Sequence, residues 1–210
     1  MGELLLCNEA IAAMPYYIEG MSINVYSIEE LNYYIINNTY LLDDDFMSLE
    51  LCTWIENHAH LPKLAMHLRT IISTNGRLSA FVTELLEYSG YCTKEELKNT
   101  HDALKELEEK SEFECLKIRA DRLMEKKKYT AAIFEYIKLL SCEDAKHTER
   151  VLYVNIYHNL ATAYVQLFLF DIAADLYLEA FRQNGDRKSL WSCLYAYKLD
   201  NNDIGYARIV

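Results

Sequence analysis

The sequence predicts a mainly α-helical protein whose second half is a series of antiparallel helix pairs, and three observations carry that prediction. The 210 residues include only 6 Gly and 2 Pro, too little turn chemistry for a many-stranded fold. Three hydroxyl residues are each followed three places later by Glu, the box that closes a helix N-terminus: Ser27/Glu30, Thr93/Glu96 and Ser111/Glu114. A pattern of bulky and small residues beginning at Leu116 recurs after a shift of 41 residues. With 51% hydrophobic residues, the chain has ample material for a core.

The N-terminal region, residues 1–110, is expected to be helical apart from its start. Tyr16-Tyr17-Ile18 and Ile23-Asn24-Val25-Tyr26 are β-prone and flank Glu19-Gly20-Met21-Ser22, which predicts a hairpin within 14–26. Ser27 then opens a helix to about Asn38. Asp43 to Asp45 supply acids and a cap ahead of a second helix over 46–58, with Leu49, Leu51, Cys52 and Ile55 on one stripe. Pro62 starts the next, which Asn75-Gly76 stops. A further helix runs from Arg77 to Ser89 and closes at Gly90, and Thr93 opens a polar one reaching about Lys110.

From Ser111 the repeat begins. Leu116, Ala120, Leu123, Tyr129, Ala132 and Tyr136 are matched by Tyr157, Ala161, Tyr164, Phe170, Ala173 and Tyr177. The small residues let two helices approach closely, while the large ones fill the gap to the next pair. The expected pairs are 111–142, 149–183 and a partial third over 187–210. Leu190, Leu194 and Tyr197 mark the first helix of the third pair, whereas Ile204 and Ala207 fit its second helix only after a one-residue shift. The long interval between the first two pairs implies an extended loop around Ser141 to Thr148.

This arrangement resembles the tetratricopeptide repeat (TPR) family. The family's unit has a bulky residue early, a small one at its eighth place, aromatics at its eleventh and seventeenth, and alanine at its twentieth. Tyr157, Leu160, Ala161, Tyr164, Phe170, Ala173, Tyr177 and Ala180 satisfy it; in the first pair Leu123 and Leu139 replace the usual Tyr and Ala. The segment through Glu30 is similar to that of bacterial TPR proteins, a likeness that implies no function.

What the resemblance implies is an adaptor or scaffold: the first helices of successive pairs line a concave groove that receives a peptide or helix of another protein. The groove positions are Lys117, Asp121 and Met124 in the first pair, Asn155, His158, Asn159 and Thr162 in the second, and Lys188, Trp191 and Tyr195 in the third. Cochaperones of the family grip a C-terminal carboxylate with Lys, Asn and Arg, and Lys117, Asn159 and Lys188 match three of those places. Two depart, because Asp121 stands for Asn and would repel the ligand, and Ser192 stands for a basic residue. A second alternative is a homodimer or other homo-oligomer, formed where Ile204, Ala207 and Ile209 leave apolar surface at the end of the array.

Charge and motif content argue against other classes. Residues 1–92 carry 3 Lys/Arg against 12 Asp/Glu, and residues 93–210 carry 18 against 20, so phosphate backbones and anionic membranes are repelled by the first half. The basic cluster Lys117, Arg119, Arg122 and Lys126 to Lys128 is interleaved with Asp121 and Glu125, as on a solvated helix face. Leu4-Leu5-Leu6-Cys7 hints at a lipoprotein box, but no basic and apolar leader precedes it. Cys7, Cys52, Cys92, Cys115, Cys142 and Cys193 are spaced as core fillers, which suits a reducing cytoplasm.

No cofactor or metal is expected and no catalytic residue is assigned. There is no phosphate loop or nucleophile elbow, and His58 and His60, with His67 and Cys52 nearby, point to different helix faces. The acid–imidazole pair to look for across the repeats is Asp121 with His158.

Overall fold

The computed structural model describes residues 11–142 and 150–209, and they are mainly helical, with one two-stranded sheet. The chain divides into two compact units, Met1–Lys110 and Ser111–Val210. The division also sorts the charge. The first unit holds 7 Lys/Arg against 18 Asp/Glu, a net of -11, and the second holds 14 of each, a net of zero. The hinted lipoprotein box lies outside the described residues, as does most of the expected loop after Ser141.

In the first unit β1 (Tyr16–Ile18) pairs antiparallel with β2 (Ile23–Val25), with Tyr16 opposite Val25. Helix α1 (Ile28–Asn37) follows, and the Ser27 hydroxyl accepts from the Glu30 amide at 3.2 Å. The Glu30 carboxylate reaches back to the amide of Tyr26 at 2.6 Å. Next come α2 (Leu49–Asn57), α3 (Pro62–Ser73), α4 (Leu78–Ser89) and α5 (Lys94–Glu108).

One boundary departs from expectation. Asp44–Phe46 forms a short 3-10 turn, and Ser48, accepting from the Leu51 amide at 3.1 Å, caps α2 instead of the aspartates. Leu49 is consequently exposed, while Leu51, Cys52, Trp54 and Ile55 enter the core beside Leu31, Ile35, Leu64, Phe81 and Leu85. A hydroxyl at the true N-cap satisfies an amide directly, whereas acids one turn earlier only bias the field.

The second unit contains α6 (Glu112–Glu125), α7 (Tyr129–Ser141), α8 (Arg150–Gln166), α9 (Phe170–Asn184), α10 (Arg187–Leu199) and α11 (Asp203–Ala207). Both Thr93 at α5 and Ser111 at α6 make complete capping boxes with Glu96 and Glu114. Each helix from α6 to α10 packs on its successor in sequence. Tyr157 to Phe181 is one hairpin, α8 folding back as α9 across the three residues Leu167 to Leu169. The alanines singled out by the repeat, Ala120, Ala132, Ala161 and Ala173, are fully buried.

The same turn joins all three pairs. Lys128 donates to the Leu123 carbonyl at 2.9 Å, Leu169 to Tyr164 at 3.0 Å and Asn202 to Tyr197 at 2.9 Å. Before each of these, Lys127, Phe168 and Asn201 sit in the left-handed region at φ 58°, 62° and 56°. This is the Schellman pattern, in which a left-handed residue lets two amides satisfy the last carbonyls of a helix.

The turns fix the register of the third pair. Asn201 follows Phe168 by 33 residues, and α11 starts 33 residues after α9, so no local shift occurs. Tyr206, rather than Ala207, therefore takes the place of Ala173. Tyr206 and Ile209 pack on the cluster of Ala161, Ala173, Cys193 and Tyr197, whereas Ile204 and Ala207 face solvent.

Two substitutions at these turns should have opposite signs. Gly205 lies against the Tyr197 ring, and a Cβ there would sit 2.8 Å from the ring carbons. Gly205→Ala should cost about 1–3 kcal/mol through overpacking. Phe168 is bulky, left-handed and exposed, so Phe168→Gly should gain up to about 1 kcal/mol by relieving the backbone, less glycine's larger unfolded-state entropy. Urea denaturation of both variants, read by circular dichroism, checks the pair.

Candidate functional site

The ten expected groove residues lie on α6, α8 and α10, and the structure divides them into an internally bonded set and an exposed one. The division follows from helix spacing. Beside the buried Ala120 and Ala161, polar side chains on α6, α8 and α10 come within hydrogen-bonding reach of one another.

Asp121 is the centre of the first cluster. Its carboxylate accepts from Lys117 Nζ at 2.6 Å, from the Tyr136 hydroxyl at 2.6 Å and from Asn159 Nδ2 at 3.3 Å. It thereby ties α6 to both α7 and α8. Burial, then the bond to Asp121, pushes the Tyr136 phenol far above its ordinary range, so it remains a donor. Lys117 and Asn159, two of the three residues matched to a carboxylate grip, are engaged by a carboxylate of the protein itself. A peptide terminus would share those donors with it and would meet its repulsion.

The second cluster surrounds His158. Its Nδ1 lies 3.4 Å from Ser189 Oγ on α10, and its ring packs on Tyr177 of α9 at 4.9 Å between centroids. The acid–imidazole pair expected with Asp121 is not formed, because the imidazole is directed toward α9 and α10. Thr162 shares a hydrogen bond with the Tyr177 hydroxyl at 2.9 Å and donates to the His158 carbonyl at 2.8 Å. Burial, and secondarily the charge of Lys188, lowers the His158 pKa, while Asp186 opposes the shift.

Met124 is half-buried, and Asn155, Lys188, Trp191 and Tyr195 are exposed. Trp191 and Tyr195 are 58% and 67% accessible, and Leu199, which sequence reasoning passed over, is 58% accessible. The three follow one another at intervals of four on α10 and so share a helix face. That spacing was readable in the sequence. It was missed because Leu199 sits at the helix end, where the repeat pattern no longer prescribes a residue.

Other features carry less. His67 bonds Glu84 at 2.7 Å, and His60 occupies the α2–α3 turn with positive φ. Among the described residues no group of three His, Cys, Asp or Glu side chains is placed to share a metal. Burial, with Asp175 next, raises the Cys193 thiol to about 11, which leaves it protonated at neutral pH. No described helix is long and apolar enough to cross a membrane. No protein-family model matches the chain, and neither does any curated protein.

Removing the Asp121 acceptor should destabilise the second unit by about 1 kcal/mol, the low end for an orphaned buried hydroxyl because Asp121 is partly open to water. Asp121→Asn should cost less than Asp121→Ala, since an amide oxygen still accepts from Tyr136; comparative urea denaturation reads the order.

The lowered His158 pKa has a defined linkage sign. The unfolded chain takes up the proton first, near 6.5, so this stability is complete above that pH and declines as pH falls below it. Between about pH 7 and about pH 5 the native chain should therefore lose more stability than His158→Gln, measured as the difference of melting temperatures.

Proposed function

We propose that residues 111–209 are a tetratricopeptide-type interaction module, and that the protein acts as a scaffold by docking a helical segment of another polypeptide rather than by catalysis. The recurrent turn, the buried alanines and the sequential packing of α6 to α10 support the family reading. The observation that carries the function is the solvent-facing stripe Trp191, Tyr195 and Leu199 on α10. Large aromatic side chains anchor protein interfaces because they desolvate much area at little rotamer cost, and an i, i+4, i+8 row suits a helix laid along it.

The docking face in this reading is centred on α10, with Asn155 and Lys188 as polar surroundings. The polar clusters of α6 and α8 act as its support, since their groups already bond one another. A reducing compartment fits the five described free cysteines.

A photo-crosslinking residue placed at 195 should capture a polypeptide when the protein is isolated from its native cell, and Trp191→Ala should reduce capture about tenfold or more, as loss of an interface anchor does. Melting temperature should hardly change, because Trp191 is exposed. Undiminished capture by Trp191→Ala would rule this face out.

A further inference from the structure

The stripe on α10 is flanked by charges whose order says what covers it. Arg187 and Lys188 lie in the first turn, and neither side chain has an ion-pair partner among the described residues; Asp200 is the C-cap and has none either. Asp203, just beyond, bonds Lys198 at 2.6 Å. The N-terminus of a helix carries partial positive charge and its C-terminus partial negative charge. The two first-turn cations and the capping Asp200 therefore stand at the ends where the helix field opposes them. The Asp186 N-cap, accepting from the Lys188 amide at 3.1 Å, offsets one end only in part.

An antiparallel copy of the same helix relieves both ends at once. With a two-fold axis at Tyr195, Trp191 meets the second copy's Leu199, Tyr195 meets its own equivalent, and Arg187 and Lys188 meet the turn that holds Asp200 and Asp203. The stripe from Trp191 to Leu199 rises ~12 Å, so its three apolar contacts lie within one straight helix, while the anions sit at the C-cap and in the turn beyond it. The net charge of zero on residues 111–210 means that this unit does not repel its copy as a whole, whereas the first unit carries -11. An isologous interface requires a surface that complements itself, and the order cation, aromatic, aliphatic, anion does so only in the antiparallel sense.

We infer that the helical segment docked by α10 is α10 of a second copy of this chain, forming a two-fold antiparallel homodimer centred on Tyr195. This rests on the docking role assigned to the stripe and names its occupant. The dimer is of modest affinity, because one helix face offers less area than a permanent interface.

Sedimentation of the full chain over a concentration series tests it. The native protein should convert from monomer to dimer in the micromolar range, and Tyr195→Asp should remain monomeric with an unchanged circular dichroism spectrum and, below the dimerisation range, an unchanged melting temperature. Tyr195→Cys should form a disulfide between two copies of residue 195 under mild oxidation, mapped by mass spectrometry, because a two-fold axis there brings both side chains together. Thr130→Cys, exposed on α7, should not. A native protein that stays monomeric throughout, or a dimer that survives Tyr195→Asp, overturns the inference. Monomeric protein combined with Trp191-dependent capture of a different polypeptide would overturn the homodimer alone and leave the docking role standing.

Discussion

The second unit depends on contacts at which a helix presents nothing larger than a methyl group. Ala120, Ala132, Ala161, Ala173 and Ala180 are all without solvent exposure, on helices that each pack on their successor. Small side chains bring helix axes toward the short end of the usual 8–10 Å separation. That closeness has a polar consequence. Asn159 reaches Asp121, and His158 reaches Ser189, so polar side chains bridge the first helices of successive pairs. The bonding ladder along α6, α8 and α10 thus accompanies the apolar packing of each helix on its successor.

Turn geometry supplies the second constraint. A helix pair can nest on the preceding pair only if its two helices leave the turn in the same relative register. Three connections achieve this with the same hydrogen bonds and the same left-handed residue, although none of the three is glycine. Asn201 tolerates the conformation well, Lys127 less well and Phe168 poorly. That tertiary nesting holds Phe168 there indicates that packing of α8 on α9 outweighs a local cost of about 1–2 kcal/mol.

Legibility in the sequence tracks how local the physics is. The hairpin, the boxes at Thr93 and Ser111, Pro62 at the start of α3 and Gly90 at the end of α4 were readable because each needs only residues a few places apart. The start of α2 was misread. Asp43 to Asp45 lie ahead of the true cap, and the Ser48 hydroxyl accepts from the Leu51 amide in their place. Register in the third pair was misread for a similar reason. Gly205 and Tyr197 permit an aromatic at the place of an alanine, which no pattern of apolar residues announces. The expected groove residues all fall on α6, α8 and α10, but whether a polar side chain is free or already bonded depends on its neighbours across pairs. Lys117, Asn159, His158 and Thr162 could not be separated from Asn155, Lys188, Trp191 and Tyr195 without those contacts.

The separation changes which residues can supply binding energy. A ligand carboxylate that pairs with Lys117 or Asn159 shares those donors with Asp121 and meets its like charge, so the net gain is small. Trp191, Tyr195 and Leu199 face water instead, and covering them gains about 25 cal/mol for each Å² of apolar surface removed. Association also has to overcome lost translational and rotational freedom of at least about 4 kcal/mol, which exchanged polar bonds cannot offset and a covered aromatic row can. Repeat positions alone weight α6, α8 and α10 alike. Under the docking reading, these energetics favour the exposed face of α10 over the internally bonded groups of α6 and α8.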